Sequence, residues 1–211
     1  MDNKNRLFSF KGVAFVGMVL LFFVSLQTFF PGFLFASDSL FLEKIASERT
    51  AEKTVFFSFI TNLGDVLVVA SLAVLCLVFF LFKRKALIPG LVLSLFGTGA
   101  SVFLLKLLID RPRPPEDLSL LLLNSPSFPS GHSAFALVFY GFLIFAFTSR
   151  LKKFFPRFLI GIIGAILIMG IAVSRLYLGV HYPLDIIGGF LLGALWLIFG
   201  IRATRSIEKL E

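Results

Sequence analysis

Two histidines occur in this chain, His132 and His181, and each stands among polar residues within an apolar sequence. The first closes the run Pro129-Ser130-Gly131-His132. The second lies in Ser174-Arg175-x5-His181-x3-Asp185, and upstream stands Lys106-x6-Arg113-Pro114. Imidazole can be nucleophile, proton carrier or metal ligand near neutral pH. The cations narrow the choice. Lys106, Arg113 and Arg175 bring three positive charges and Asp185 removes one. That balance suits an anion of about two charges, such as a phosphate monoester, whose oxygens match the guanidinium fork. Ser130 can cap a helix that starts at Gly131. The first N–H groups of that helix would then face outward at its positive end, a ready anion site. No acid interrupts Ser125–Ser133 to compete.

Spacing divides the labour between the imidazoles. His181 and Asp185 are four residues apart, with Pro183 between them, which suits the first turn of a helix and puts both side chains on one face. A carboxylate there can hold the proton on one ring nitrogen and leave the other free to attack. His132 is then the acid that protonates a leaving oxygen and later the base that activates water. Each residue also has a plainer reading. Lys106 or Arg111 can be interfacial anchors, and Arg111, outside the strict spacing, is better read as an anchor or a loop pairing. A zinc site is the competing constellation, but the His/Asp spacing is unusual for zinc and three cations would repel the metal. The chemistry is expected to be metal-independent, with no cofactor; no Gly-x-x-x-x-Gly-Lys loop is present.

These residues must be positioned by a membrane protein. Of 211 residues, 58% are hydrophobic and 15% charged, against about a quarter charged in soluble domains. Six stretches are each long enough to cross a bilayer as a helix: Gly12–Phe30, Val66–Phe82, Ala86–Leu105, Gly131–Ser149, Phe158–Ser174 and Leu184–Ile201. They predict an all-α bundle of six transmembrane helices forming a single domain over 1–211. The first stretch is longer than a signal-peptide core, and Phe35-Ala36 is a poor cleavage site, so a retained anchor is expected. With both termini cytoplasmic, thirteen Lys and Arg fall inside and seven outside, in keeping with the positive-inside rule. The net charge of +8 is thus loop charge, scattered rather than striped, and speaks against nucleic-acid binding.

The connecting segments carry further expectations. Residues 31–54 form the first outer loop. From Asp38, a candidate N-cap, Phe41, Leu42 and Ile45 recur at helical spacing. They predict either an interfacial amphipathic helix over 38–53 or a polar loop with one helical turn. Asp65 opens the next span as an interfacial residue or as part of an outer polar site. Gly90, Gly97 and Gly99 suggest close helix packing. The helix carrying Lys106 must end near Ile109, because Pro112, Pro114 and Pro115 follow. Cys76, the single cysteine, is expected to pack. In this topology all three polar clusters lie on the outer side.

In order and at every fixed position, the three motifs resemble the signature of the phosphatidic acid phosphatase type 2 superfamily, across residues 106–185. The resemblance implies a phosphohistidine on His181, oriented by Asp185, with His132 as acid and base. It implies Lys106, Arg113, Ser130, Gly131 and Arg175 as the phosphate cradle. It also implies a lipid phosphate or diphosphate as substrate, of the phosphatidylglycerophosphate, undecaprenyl diphosphate, phosphatidic acid or lipid A type, cleaved at the outer face of a bacterial plasma membrane. Two alternatives stay open: a lipid-linked phosphotransferase using the same site, and a transporter of phosphate or lipid phosphate using the same cations.

Overall fold

The structure, a computed structural model, describes residues 14, 17–21, 24, 25 and 31–210, with side chains in the 31–47 helix described from residue 38. Seven α-helices run in order from residue 31. They are α1 (Pro31–Ser47), α2 (Ala51–Asn62), α3 (Val66–Lys83), α4 (Leu87–Ile109), α5 (Gly131–Thr148), α6 (Phe154–Tyr177) and α7 (Pro183–Ile207). A single 3-10 turn, Glu116–Leu118, interrupts the long loop between α4 and α5. Among the described residues there is no strand. Helices α3 to α7 are each long and apolar enough to cross a membrane. They coincide with five of the six predicted spans. The first, Gly12–Phe30, lies largely outside the described residues; the few within it that are described are helical, and Leu20 packs with Val102, Ala134 and Leu192.

Local chemistry sets the helix ends. Asp65 caps α3, its carboxylate accepting from the Leu67 N–H at 2.8 Å, and Thr50 caps α2 through the Lys53 N–H. Helix α4 ends at Ile109; Asp110 turns into the left-handed region at φ 44° before the prolines. Pro183 opens α7, where Asp185 reaches back to the Tyr182 N–H. Its missing N–H costs nothing at that position.

One expectation is corrected upstream. The segment 31–54 is not a loop with a helix starting at Asp38. It is α1, which begins seven residues earlier at Pro31, and the start of α2. Asp38 therefore lies inside α1 and is buried, rather than capping it. Phe41 is exposed and Leu42 buried, so α1 has two faces. Reading from Asp38 passes over the signal that marks the start: Pro31, a residue suited to the first position of a helix, with only apolar and small residues between it and Asp38.

Helix α7 is the spine of the bundle, packed along α4 on one side and α5 on the other. Small residues let it come close. A Cβ on Gly90 of α4 would run into Thr204 and the Gly200 carbonyl, and one on Gly97 would run into the Trp196 ring. Gly99 faces only the Phe135 ring at 3.5 Å and is not a close-packing site. Against α5, Gly189 and Gly193 of α7 lie on the backbones of Ser130 and Ala134. Ser94 ties the helices further, donating to the Trp196 carbonyl at 3.2 Å. Outward, Phe82, Phe96 and Phe103 are exposed, as side chains facing hydrocarbon would be. Cys76 packs against the buried cluster around Phe80 and Phe139.

Candidate active site

The three motifs meet at one end of the bundle. Ser130 is the N-cap of α5, its hydroxyl accepting from the Ser133 N–H at 3.5 Å. Gly131 and His132 begin the helix, so their backbone N–H groups have no partner within it. A Cβ on Gly131 would touch only Val102, at 3.7 Å. Packing within the protein therefore does not demand glycine there, whereas close approach of a bound anion to the backbone would. The Ser130 N–H donates to the Asp185 carbonyl at 3.0 Å, which fixes the second motif directly to the third.

His181 sits on the short α6–α7 connection and is almost fully buried. That connection turns at Gly179, where φ is +70° and a Cβ would strike the Leu118 carbonyl. The adjacent Leu178 carbonyl accepts from Leu120 at 2.9 Å, so the loop before α5 braces it. His181 Nδ1 lies 3.4 Å from Asp185 Oδ2, on the face that i,i+4 spacing predicted. Burial pushes the imidazole down to about 4, against the opposing pull of Asp185. At neutral pH the ring is thus uncharged, and the carboxylate at Nδ1 assigns the proton to that nitrogen, leaving Nε2 with its lone pair.

The cations surround this pair. His132 lies within electrostatic range of Arg175, His181, Arg113 and Lys106. Lys106, in the last turn of α4, donates from Nζ to the Pro126 carbonyl. Arg113 pins two loops together: Nε donates to the Ser125 carbonyl at 2.6 Å, Nη2 to Ser125 Oγ at 3.0 Å and Nη1 to the Val180 carbonyl at 2.5 Å. Three of the five N–H donors are so used, leaving two for a ligand. Arg175, buried on α6, donates from Nη1 to Thr61 Oγ1 at 2.8 Å, while its buried Nε has no hydrogen-bond partner. All eight residues singled out by spacing, Lys106, Arg113, Ser130, Gly131, His132, Arg175, His181 and Asp185, come together at this end.

Four further residues belong to the site that spacing did not select. Arg111 donates to Asp185 Oδ1 and to Asp38 Oδ2, both at 2.7 Å. The pairing half of its sequence reading holds; the anchoring half does not, since the guanidinium is buried. Burial pushes the Asp38 carboxyl up, with Arg111 pulling the other way. Thr61 orients Arg175, and the Asp65 carboxylate acts on Arg175 from the start of α3. One sequence signal pointed to Asp38: it is the only charge in the apolar run from Pro31 to Leu42. Nothing local marked Thr61.

Comparison with known proteins identifies the family. The PAP2 superfamily model matches residues 88–208. The chain belongs to the PAP2 superfamily. It is 36% identical over 143 residues to phosphatidylglycerophosphatase B of Bacillus subtilis (strain 168), covering 64% of this chain and 68% of that one. It is 40% identical over 90 residues to the undecaprenyl-diphosphatase of Sulfolobus acidocaldarius, covering 40% and 38% respectively. The fold is similar to the crystal structure of a transmembrane PAP2-type phosphatidylglycerolphosphate phosphatase from Bacillus subtilis, with a TM-score of 0.79 and 26% identity, over 94% of this chain and 97% of that one. Membership places the protein among the PAP2-type phosphatases, with several helices of membrane-crossing length.

Proposed function

We propose that the protein is an integral-membrane lipid phosphatase that removes a phosphate from a lipid phosphate or diphosphate without a metal ion. The observation that carries this reading is the meeting of the His181–Asp185 pair, His132 and the three cations Lys106, Arg113 and Arg175 at one end of an apolar bundle. Phosphatidylglycerophosphate is the substrate favoured, because relatives named for it match most of the chain by sequence and fold. Undecaprenyl diphosphate, phosphatidic acid and lipid A are the other arms of the test.

In the mechanism, His181 Nε2 forms a bond to phosphorus as the bond to the lipid oxygen breaks. Asp185 holds Nδ1–H and balances the charge that grows on the ring. His132, protonated once the anionic phosphate is bound among the cations beside it, gives that proton to the departing oxygen, then takes one from the water that attacks the phosphohistidine; the P–N bond breaks and inorganic phosphate leaves. Lys106, Arg113, Arg175 and the N–H groups of Gly131 and His132, at the start of the helix that Ser130 caps, hold the equatorial oxygens, where charge accumulates in the transition state.

The site faces the outer, periplasmic or extracellular side of a bacterial plasma membrane, with six spans and cytoplasmic termini. Support comes from the opposite end of the bundle. There Arg84 bonds to Glu208 at 2.6 Å and to Ser149 at 3.1 Å, drawing together the two basic turns and the tail. These hold most of the Lys and Arg that the positive-inside rule assigns to the cytoplasm. The test is phosphate release from the four lipids in detergent micelles, with and without a chelator. Release that survives chelation and vanishes in His181→Ala is the expected result; near-normal turnover by that variant would falsify the mechanism. Phosphate transferred to a lipid or sugar acceptor instead of water would indicate the phosphotransferase, and lipid flux without release the transporter.

A further inference from the structure

Arg111 lies between the positions that the motif spacing selects, yet its side chain is only 6% exposed. Its fork grips two carboxylates: Nη1 donates to Asp185 Oδ1 and Nη2 to Asp38 Oδ2, each at 2.7 Å. Its Cζ sits 4.4 Å from the centroid of the Tyr182 ring, which adds a cation–π contact and fixes the guanidinium plane. Asp185 Oδ2 is taken by His181 and by the Tyr182 N–H at 2.9 Å. Arg111 therefore occupies the one oxygen of Asp185 that does not face His181. Asp38 reaches this point from α1, outside the residues 88–208 that the superfamily model matches.

Charge explains why two acids are needed. Arg111 beside Asp185 alone would cancel the negative charge that His181 must feel. Adding Asp38 returns the trio to one net negative charge while keeping the carboxylate of Asp185 clamped. We propose that Asp38 and Arg111 act as a positioning arm from α1 that fixes Asp185, and through it the ring of His181. The inference rests on the phosphatase reading for the role of His181. The other charged or titratable groups acting on that ring are Arg113 from the α4–α5 loop, Arg175 from α6 and His132 from α5. None of them touches Arg111 or Asp38 in the network above.

The experiment compares wild type, Arg111→Gln, Arg111→Lys and Asp38→Asn by kcat, KM and melting temperature. It adds the titration of the His181 imidazole by NMR. A displaced ring can lower turnover by about 100-fold. Arg111→Gln is expected to lower kcat by roughly that factor with KM nearly unchanged, and to move the His181 titration upward, because a cation beside Asp185 is lost. Arg111→Lys restores the charge but cannot fork two carboxylates; it should return the titration toward wild type while kcat stays low. Asp38→Asn should lower kcat by a smaller factor. Wild-type kcat and titration in both Arg111→Gln and Asp38→Asn overturn the proposal. So does a kcat loss that follows the melting temperature while the titration stays put. Failure of the phosphatase reading looks different: wild type would then release no phosphate, while the titration shift in Arg111→Gln could still be read.

Discussion

Replacing Gly189 by Ala tests whether the α5–α7 packing holds the catalytic groups in register. An ideal Cβ at Gly189 would lie 2.5 Å from the Ser130 carbonyl oxygen and 3.2 Å from Ser133 Cβ, where ordinary contact begins near 3.4 Å. The first of these is a backbone atom that cannot swing away, so the helices must part locally by nearly 1 Å. The displaced residues are Ser130 and its neighbours, hydrogen-bonded to the Asp185 carbonyl four residues before Gly189. A misplacement of about 1 Å can cost about 100-fold in rate, or ~2.7 kcal/mol at 1.36 kcal/mol per decade. Overpacking also costs about 1–3 kcal/mol of stability, so activity alone would not discriminate. Gly200→Ala supplies the control. Its Cβ would collide with Ser94 and the Gly90 carbonyl at least as hard, but about 16 Å further along the same helix at 1.5 Å per residue. Phosphate release at saturating substrate, corrected for the folded fraction from a melting curve, should fall about 100-fold in Gly189→Ala and stay within a few-fold in Gly200→Ala. Unaltered kcat in Gly189→Ala, or an equal loss in Gly200→Ala, would refute the reasoning.

Three further outcomes follow from the site. Asp185→Asn keeps the shape but removes the charge that sets the His181 tautomer, and should lower kcat by about 10³–10⁴-fold; a loss under tenfold would contradict the pairing. Because the chain has only two imidazoles, NMR of labelled histidine in micelles, assigned with His132→Gln, can follow His181 alone. Its folded pKa of about 4 lies below the usual 6.5, so the ring should stay neutral down to that region, and the stability its burial contributes, present above 6.5, should decline as pH falls through that window; a midpoint near 6.5 would be inconsistent with the buried site. Thr61→Val removes the acceptor at Arg175 Nη1, and a hydrogen bond to a charged group is worth about 1.5–3 kcal/mol. The freed guanidinium should bind substrate phosphate less well, raising KM by about tenfold, whereas an unmoved KM would remove Thr61 from the site.

Much of this was legible in the sequence because it depends on local order. Hydropathy runs located α3 to α7, and prolines and Ser130 set the ends that carry the motifs. The boundaries erred where charge stopped a hydropathy count but not a helix. Helix α6 starts at Phe154, before Arg157, and α7 continues past Arg202 and Arg205 to Ile207. Long basic side chains at a helix end can lay their stems along the apolar surface and reach water with their heads. The His181–Asp185 pair could be read from its i,i+4 spacing. The Asp38–Arg111 pair could not, since 73 residues separate its members and no periodicity links them. Helix α2 was hidden for a related reason: Ala51–Asn62 mixes Glu52, Lys53 and Thr54 with three phenylalanines, and falls short of a membrane-length run. Its value lies in Thr61, which touches Arg175 only after the chain has folded.

The cost of burying charge explains why the site extends beyond its motifs. Asp185 is fully buried, and an ionised carboxylate withdrawn from water needs charged or N–H partners close by. His181 is neutral at physiological pH, so it cannot supply the countercharge in the resting state. Arg111 does, but a buried guanidinium fork satisfied by one carboxylate would leave the other arm without an acceptor, and would quench the field that the reaction needs. Asp38 resolves both problems with one side chain. The segment 88–208 can therefore hold every motif residue and still lack the second carboxylate that keeps Arg111 and Asp185 in place. On the proposed mechanism α1 would be a positioning element for the His181–Asp185 pair, contributing no group to the phosphate itself.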